Sequence, residues 1–186
     1  SLTSKGRNQG LPLAWMTLLT QSEQMLAGDM RLAGQWDVEL GRNLRLQAQL
    51  ARSSGDLVIL TGDGASTQAA RQGRIAAGVR TARVEVHNTG NQVALQLQWD
   101  SAQAGSAQAQ VRTQLAQTAS GWGLAPHAPL QGRVQARLPR VGVWNVFAPP
   151  GWRLRGTLDA DIAISGTVQA PLLQGTLNAD NIGVRS

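Results

Sequence analysis

The sequence contains no cysteine and no tyrosine, and its aromatic residues are one phenylalanine and six tryptophans. The lack of cysteine excludes disulfide bonds, cysteine nucleophiles and thiolate metal sites. The apolar stretch Leu11–Leu19 is too short to cross a bilayer as a helix, which needs about 20 residues. The chain has 186 residues, which is long enough for one domain with a sizeable core. Its net charge is +6.

Residues with catalytic or metal-binding chemistry are few and scattered. His87 and His127 are forty residues apart in sequence, whereas a metal site requires a cluster of ligands. Asp161 and Asp180 occupy matching positions in a short repeat, and solvated strand carboxylates explain them better than a catalytic pair does. The glycine-rich segment Thr61–Ser66 lacks the lysine of a phosphate-binding loop. We therefore expect no enzyme activity, no metal and no cofactor.

A seven-residue phrase occurs twice in the last part of the chain, as GTLDADI at Gly156–Ile162 and as GTLNADN at Gly175–Asn181. Segments that begin at Leu32 and Leu130 share its wider pattern, in which a glycine follows a leucine by two residues and apolar residues then alternate with polar ones. A period of two predicts strands with one buried face. Glycine in the buried row predicts a bend, or the close approach of a group packed over that face.

The alternation continues over residues 29–138 and again over residues 152–186. It predicts roughly nine antiparallel strands joined by short turns. The apolar rows carry no ionisable residue, and most of the charge falls on the facing rows. We predict that the apolar rows line one surface, formed by Met30, Leu32, Trp36, Val38, Leu40, Leu44, Leu46, Leu50, Val84, Val86, Val93, Leu95, Leu97, Trp99, Val111, Leu115, Val134, Leu138, Leu154, Leu158, Ile162, Ile164, Leu173 and Leu177.

Three segments break the alternation. Leu13–Met25 has helical spacing and belongs to a helical lead-in over residues 1–28. The Ala-, Gln- and Arg-rich segment near residues 65–80 is a loop or a short helix. Residues 139–151 are expected to form a short helix that a proline pair ends. We therefore expect a mostly β domain with two or three short helices.

A continuous charge-free surface must be covered, and the alternation allows three covers. A second sheet gives a sandwich, closure gives a barrel, and a curled open sheet leaves a trough that meets a ligand. Small residues in the apolar rows, such as Gly34, Gly132 and Gly175, leave volume that favours a ligand over an interlocked core.

Several segments, by their order and number, resemble the C-terminal region of the TamB family of AsmA-like envelope proteins. They are LPLAWMTLLTQSEQML, LAGQWDVELG, SSGDLVILTGDG and the stretch from APPGW to NIGVRS, which includes both GTL phrases. The resemblance covers nearly the whole chain except residues 65–80. It implies a single β-taco domain over residues 1–186, which is an elongated antiparallel sheet curled into an open trough with an apolar concave face.

The resemblance also implies a setting, partners and a function. Proteins of this family lie in the Gram-negative periplasm, anchored in the inner membrane by an N-terminal helix that is expected to lie outside this fragment. They work with a TamA-like outer-membrane barrel of the BamA type. Such a trough would shield or conduct phospholipid acyl chains, or β-segments of outer-membrane protein clients, between the two membranes. Because the last repeat stops near Ser186, we also expect unpaired sheet edges and edge-to-edge self-association of the fragment.

Two other functions fit parts of the sequence. A transmembrane β-barrel shows the same alternation, but outer-membrane barrels carry aromatic girdles and this chain has no tyrosine. A nucleic-acid-binding module would suit the excess of 17 basic over 11 acidic residues, but the arginines are dispersed beside acids and glutamines rather than clustered. Outward arginines suit a solvated face or weak contact with anionic headgroups. Such residues are Arg31, Arg83, Arg112, Arg133, Arg153 and Arg155.

Overall fold

The structure, a computed structural model, describes residues 2–12, 26–60, 74–141 and 153–185, which form thirteen β-strands. They are β1 (Leu2–Pro12), β2 (Leu26–Gly28), β3 (Arg31–Leu40), β4 (Leu44–Ser54), β5 (Leu57–Leu60), β6 (Arg74–Ala76), β7 (Val79–Thr89), β8 (Gln92–Ser101), β9 (Ser106–Thr118), β10 (Gly121–Leu124), β11 (Gln131–Leu138), β12 (Arg153–Gly166) and β13 (Pro171–Arg185). The long strands other than β1 follow the two-residue alternation of apolar and polar side chains.

Ten strands form one antiparallel sheet in the order β1-β3-β4-β7-β8-β9-β11-β12-β13, with β10 paired to the end of β9. Most neighbours in the sheet are also neighbours in the sequence, joined by tight turns such as 41–43 and 90–91. Strands β1 and β13 form the two edges of the sheet within the described residues. The sheet is therefore open, and the expectation of a mostly β, curled antiparallel sheet is confirmed.

A second sheet of three strands has the order β2-β5-β6. These strands continue β3, β4 and β7 in sequence, with two residues between each pair of segments. The three breaks lie side by side, because the amide of Met30 donates to the carbonyl of Asp56 (3.0 Å) and the amide of Ala77 donates to the carbonyl of Leu57 (2.8 Å). The large sheet therefore ends and the small sheet begins at the same position along all three strands.

The carboxylate of Asp56 ties these breaks together. It accepts hydrogen bonds from the backbone amides of Leu57 (2.8 Å), Gly78 (3.0 Å) and Val79 (2.9 Å). Burial raises the pKa of this carboxyl, but the three amides and the nearby Arg52 guanidinium outweigh that effect, so its pKa lies below the ordinary value of 3.8. The charged carboxylate therefore stabilises the junction of the two sheets.

The closed hydrophobic core lies where the two sheets meet. Leu50, Ala82 and Trp99 of the large sheet pack against it. Since burying apolar surface contributes about 25 cal/mol per Å², this cluster stabilises the junction in addition to the Asp56 hydrogen bonds. Its members are each at most 6% exposed and are Met30, Leu32, Leu57, Ala77, Val79 and Ala104.

Part of the expected helical lead-in is extended instead. Residues 2–12 form β1, which pairs with β3 from Leu2↔Leu40 to Pro12↔Arg31, and residues 26–28 form β2. Both stretches are strands because a neighbouring strand supplies hydrogen-bond partners, and local spacing does not encode such partners. The helical spacing of residues 13–25 lies outside the described residues.

The segment near residues 65–80 also contains strand. Arg74–Ala76 form β6, which pairs with β5, and Val79 begins β7. The expectation of a loop or helix is therefore wrong for these residues, again because pairing with a distant strand determines their conformation. Residues 61–73, and most of the helix expected over 139–151, lie outside the described residues.

The two GTL phrases form the long hairpin of β12 and β13. Leu158 lies opposite Ala179, and Leu177 lies opposite Ala160. The leucine of each copy therefore faces the alanine of the other, and all four residues share one face of the sheet. The copies run in opposite directions on neighbouring strands.

The apolar face of the sheet as a candidate binding surface

One face of the large sheet is built from rows of uncharged residues that run across the strands. The first row crosses nine strands at Gly6, Trp36, Ala48, Val86, Leu95, Val111, Gly132, Ile164 and Leu173. The second row lies two residues along each strand, at Asn8, Gly34, Leu50, Val84, Leu97, Ala109, Val134, Ile162 and Gly175. Because residues opposite each other in an antiparallel pair share a face, these rows form one continuous surface without an ionisable group.

No other layer covers the centre of this face within the described residues. Leu95 and Leu97 lie on β8, in the interior of the sheet, yet they are 39% and 40% exposed. Trp36 on β3 is 38% exposed. In a packed sandwich, such side chains would be almost completely buried between two sheets. Of the three covers that the alternation allows, the described residues therefore show the open sheet.

The sheet curls toward its apolar face. Trp122 of β10 lies opposite Gln117 of β9 on this face, and its indole Nε1 donates a 2.8 Å hydrogen bond to the carbonyl of Gly41 in the β3–β4 turn. Four strand spacings separate β4 from β10, which is about 19 Å in a flat sheet. One indole side chain cannot span that distance, so the intervening strands bend and bring the two hairpins together. We call this contact the Trp122 bridge.

Glycines in the apolar rows allow neighbouring strands to approach closely. A Cβ atom on Gly175 would overlap the carbonyl oxygen of Asp161 and lie 2.8 Å from the Cα of Ile162. A Cβ atom on Gly132 would overlap the carbonyl of Gln110. The expectation that these two glycines leave volume for a ligand is therefore wrong, because the backbone of the next strand fills it. Glycine in the buried row predicts that another group approaches closely, and at Gly132 and Gly175 that group is the backbone of the neighbouring strand.

The opposite face of the sheet is polar and carries ion pairs. Arg133 pairs with both carboxylate oxygens of Asp161 (2.9 and 2.7 Å), and Arg80 pairs with both oxygens of Asp100 (2.8 and 3.0 Å). The Arg133 guanidinium lowers the pKa of Asp161, and Arg80 lowers the pKa of Asp100 in the same way. Further ion pairs are Lys5–Asp37, Arg45–Asp37, Arg45–Glu39 and Arg83–Glu85. Exposed pairs of this kind add little stability, but they show that this face is the solvated one.

Apart from Met30, which lies in the break between β2 and β3, and Leu154, the predicted lining residues lie on the apolar face of the large sheet, but in different surroundings. Met30 and Leu32 belong to the closed core, where they are 5% and 4% exposed. Leu173 and Leu177 lie on the edge strand β13 and are 65% and 63% exposed. The others lie between these extremes, except that the side chain of Leu154 is outside the description. A ligand contact for the open residues stays a prediction.

The ionisable residues that the sequence singled out do not come together. His87 lies on the polar face of β7, and His127 lies in the turn after β10; both are exposed. Asp161 and Asp180 occupy register positions four residues apart along the β12–β13 hairpin. In the part of the chain that the structure describes, no group of three His, Asp or Glu side chains could hold a metal ion.

Two residues that shape the face escape sequence reasoning. Trp122 lies in a strand of only four residues, which is too short to show alternation, and its flanking glycines indicate no more than a hairpin. Asp56 follows Gly55, and this pair of residues predicts a turn. It does not predict which backbone amides donate hydrogen bonds to the Asp56 carboxylate.

A comparison with known families bears on this fold. The family profile described as TamB, N-terminal domain, matches residues 14–179 of the chain. The chain belongs to the TamB family. Membership gives this TamB chain a place in the cell envelope and a role in translocation and assembly, and TamB proteins in general work with TamA-type partners.

The match also corrects one expectation about the TamB chain. Its motifs resemble the C-terminal region of TamB proteins, whereas the matching profile is that of the N-terminal domain. Alternating strand motifs of low specificity do not mark a position within a repetitive protein, which is why they misplaced the segment. Comparisons with curated proteins and with solved structures give no match. None of the TamB chain's described residues form a helix long and apolar enough to cross a membrane.

Proposed function

We propose that this TamB-family domain provides an open trough that shields the acyl chains of phospholipids in the periplasm. The observation that supports the proposal best is an apolar face that no other described residues cover, on which Leu95 and Leu97 stay 39% and 40% exposed in the middle of the sheet. The two rows that form the face have no ionisable side chain on any of the nine strands they cross.

The physical argument rests on the cost of leaving such a face in water. Monomeric proteins rarely expose a contiguous apolar surface of this extent unless it binds something. Each methylene group of an acyl chain that the face removes completely from water gains about 0.8 kcal/mol, and a partly covered one gains less. A chain of methylene groups makes no hydrogen bonds, so it matches rows that offer none.

We propose the remaining parts on the basis of family membership. The domain acts in binding and has no catalytic role, and the full-length protein is anchored in the inner membrane. It works with a TamA-like outer-membrane barrel, so that the trough forms part of a path between the two membranes. The ion-paired polar face keeps the outside of that path in water.

The test compares two charged substitutions on adjacent residues of β8. Leu95→Arg places a guanidinium on the apolar face, where an unpaired charge costs several kcal/mol against an apolar ligand. Gln96→Arg places the same group on the polar face opposite Glu85. We expect binding of a phospholipid with a fluorescent acyl chain to fall at least tenfold in Leu95→Arg and to stay within twofold of the wild type in Gln96→Arg.

Circular dichroism on both variants shows whether the β content is retained. Undiminished acyl-chain binding by a folded Leu95→Arg variant would contradict the proposal. So would an equal loss in Gln96→Arg, because the effect would then come from charge rather than from the apolar face.

A second candidate ligand is a β-segment of an outer-membrane client protein. The observation that favours it is the edge of β13, which pairs with no further strand among the described residues; residues 171–181 are all exposed there, and Leu172 is 61% exposed. An extended client segment can add to such an edge through backbone hydrogen bonds. A photo-crosslinking residue at Leu172 distinguishes the two ligands, since client peptides would react there, whereas acyl chains would react with the same residue at Leu95.

A further inference from the structure

Three turns of the large sheet lie together at one end of it. Strands β3, β7 and β9 run in the same direction, so the turns that follow them are neighbours, at 41–43, 90–91 and 119–120. The carbonyl of Asn91 in the second turn accepts a 2.8 Å hydrogen bond from the amide of Leu115 on β9. We call this end of the sheet the turn end.

Hydrogen bonds and the Trp122 bridge close a ring at the turn end. The side chain of Asn88 on β7 extends the pairing with β4, because it accepts a hydrogen bond from the amide of Leu46 and donates one to the carbonyl of Leu44, both at 2.7 Å. Strand β10 pairs with the end of β9, and the Trp122 indole returns from β10 to the carbonyl of Gly41. The ring therefore passes through β4, β7, β8, β9 and β10, and one side chain closes it.

This ring is too narrow to admit a ligand. Its strands span about 19 Å from β4 to β10, and one indole with a 2.8 Å hydrogen bond completes the circuit. Opposite sides of such a ring are about 10 Å apart, which is the spacing of two packed sheets. At that spacing, the side chains of the facing strands fill the interior. An acyl chain therefore cannot pass beneath the closed Trp122 bridge.

Exposure along β8 shows where the open part of the apolar face ends. Leu95 and Leu97 are exposed, whereas Val93 and Trp99, the next residues on the same face in either direction, are half-buried. Trp99 packs against the closed core at the junction of the two sheets. Val93 lies toward the turn end, next to the ring. On β8 the open part is therefore two rows wide, with the ring on one side and the core on the other.

We propose that Trp122 is a specificity-determining residue of the acyl-chain site, because it closes the ring and so limits the open part of the face to two rows. The inference rests on the acyl-chain binding proposed above. A slender methylene chain fits a band of this width, whereas a chain with a bulky rigid group needs the space that the ring closes. Strand β10 has four residues, and β9 is the one described strand that pairs with it, so no second strand replaces a missing indole.

The test compares two phosphatidylcholine probes that are both fluorescent. One carries a parinaroyl chain, which is linear and slender, and the other carries an acyl chain that ends in the rigid fused rings of pyrene. The quantity measured is the ratio of the two dissociation constants, which gives the preference for the slender probe. Because the shape of an apolar pocket discriminates on the order of 10–200-fold, we expect Trp122→Ala to reduce this preference by about tenfold.

The matched control is Trp36→Ala, which removes the same side chain from the apolar face outside the ring. Trp36 is 38% exposed on β3, and its indole donates a hydrogen bond to Ser4 (3.2 Å). This variant should weaken the binding of both probes alike, so that the ratio stays within twofold of the wild type. A ratio of two affinities is insensitive to a general loss of folded protein, and circular dichroism shows whether each variant keeps its β content.

The variant Trp122→Phe keeps an aromatic ring but cannot donate to the carbonyl of Gly41, so its ratio should lie between those of the wild type and Trp122→Ala. It decides the test if Trp122→Ala does not fold. An unchanged ratio in the folded Trp122 variants would overturn the inference, and so would an equal change in Trp36→Ala. Wild-type protein that binds the slender probe while the ratio does not respond to Trp122 contradicts this inference alone. Wild-type protein that binds neither probe contradicts the proposed acyl-chain binding as well.

Discussion

Single residues determine the shape of this domain at positions where the alternation of apolar and polar residues predicts nothing. Gly175 has to be a glycine because the backbone of β12 occupies the space of a side chain, and no local pattern distinguishes it from a glycine in an open position such as Gly123. Asp56 has a comparable influence, since its carboxylate connects the backbones of β5 and β7 through three amides.

Replacing Asp56 with Asn should destabilise the junction of the two sheets. The amide keeps one acceptor oxygen and loses the charge, so we expect the free energy of unfolding at pH 7 to fall by about 1–3 kcal/mol. Because the pKa of Asp56 in the folded state lies below 3.8, its stabilising effect is present above that pH and is lost as the pH falls through the folded-state pKa.

Urea unfolding of the wild type and the variant at pH 7 and near pH 3 checks this prediction, since the gap between them should narrow at the lower pH. The exposed residue Asp159 provides the control, and Asp159→Asn should change stability by less than about 0.5 kcal/mol. A gap that is constant with pH would show that the carboxylate charge is not what stabilises the junction.

At the scale of strands, the sequence predicts the long elements and their inward faces well. The alternation assigns the faces of β3, β4, β7, β8, β9, β11, β12 and β13 because a half-buried strand needs apolar residues at every second position. The alternation does not predict β1, which is polar, β6, which has three residues, or β10, which has four. Each of these strands depends on pairing with a partner strand. Breaks and bulges escape the alternation as well, since they depend on register between strands rather than on composition.

The Trp122 bridge should hold the β3–β4 and β9–β10 hairpins together. Trp122→Phe keeps an aromatic ring but removes the Nε1 donor, so we expect a loss of about 0.5–1.5 kcal/mol in stability. Trp122→Ala also removes the ring and should cost more. Hydrogen exchange of the amides in the turn 41–43 reports the effect locally. If that exchange is the same in Trp122→Ala as in the wild type, the bridge does not hold the turn.

At the scale of the whole described structure, one face of the large sheet is apolar and open, the other carries ion pairs, and the edges of β1 and β13 pair with no further described strand. Unpaired edges with exposed leucines are prone to pair with other chains. We therefore expect the chain to associate as its concentration rises. The association should weaken in Leu172→Lys, which places a charge on the edge strand β13, and should persist in Gln96→Lys on the interior strand β8. Sedimentation velocity over a range of concentrations measures it, and a strict monomer throughout would contradict the expectation.

The pairing of the two GTL phrases also has a consequence for how such a chain can lengthen. A duplicated segment of this kind adds one strand and reverses the direction of the chain, so the next segment starts from the other side of the sheet. Adding two such strands restores the original direction of the chain. The segment that can be added repeatedly is therefore the hairpin and not the single phrase. Because each leucine faces an alanine across the hairpin, that unit already carries its own matched large and small side chains. A duplicated hairpin can therefore extend the sheet without compensating changes in its neighbours.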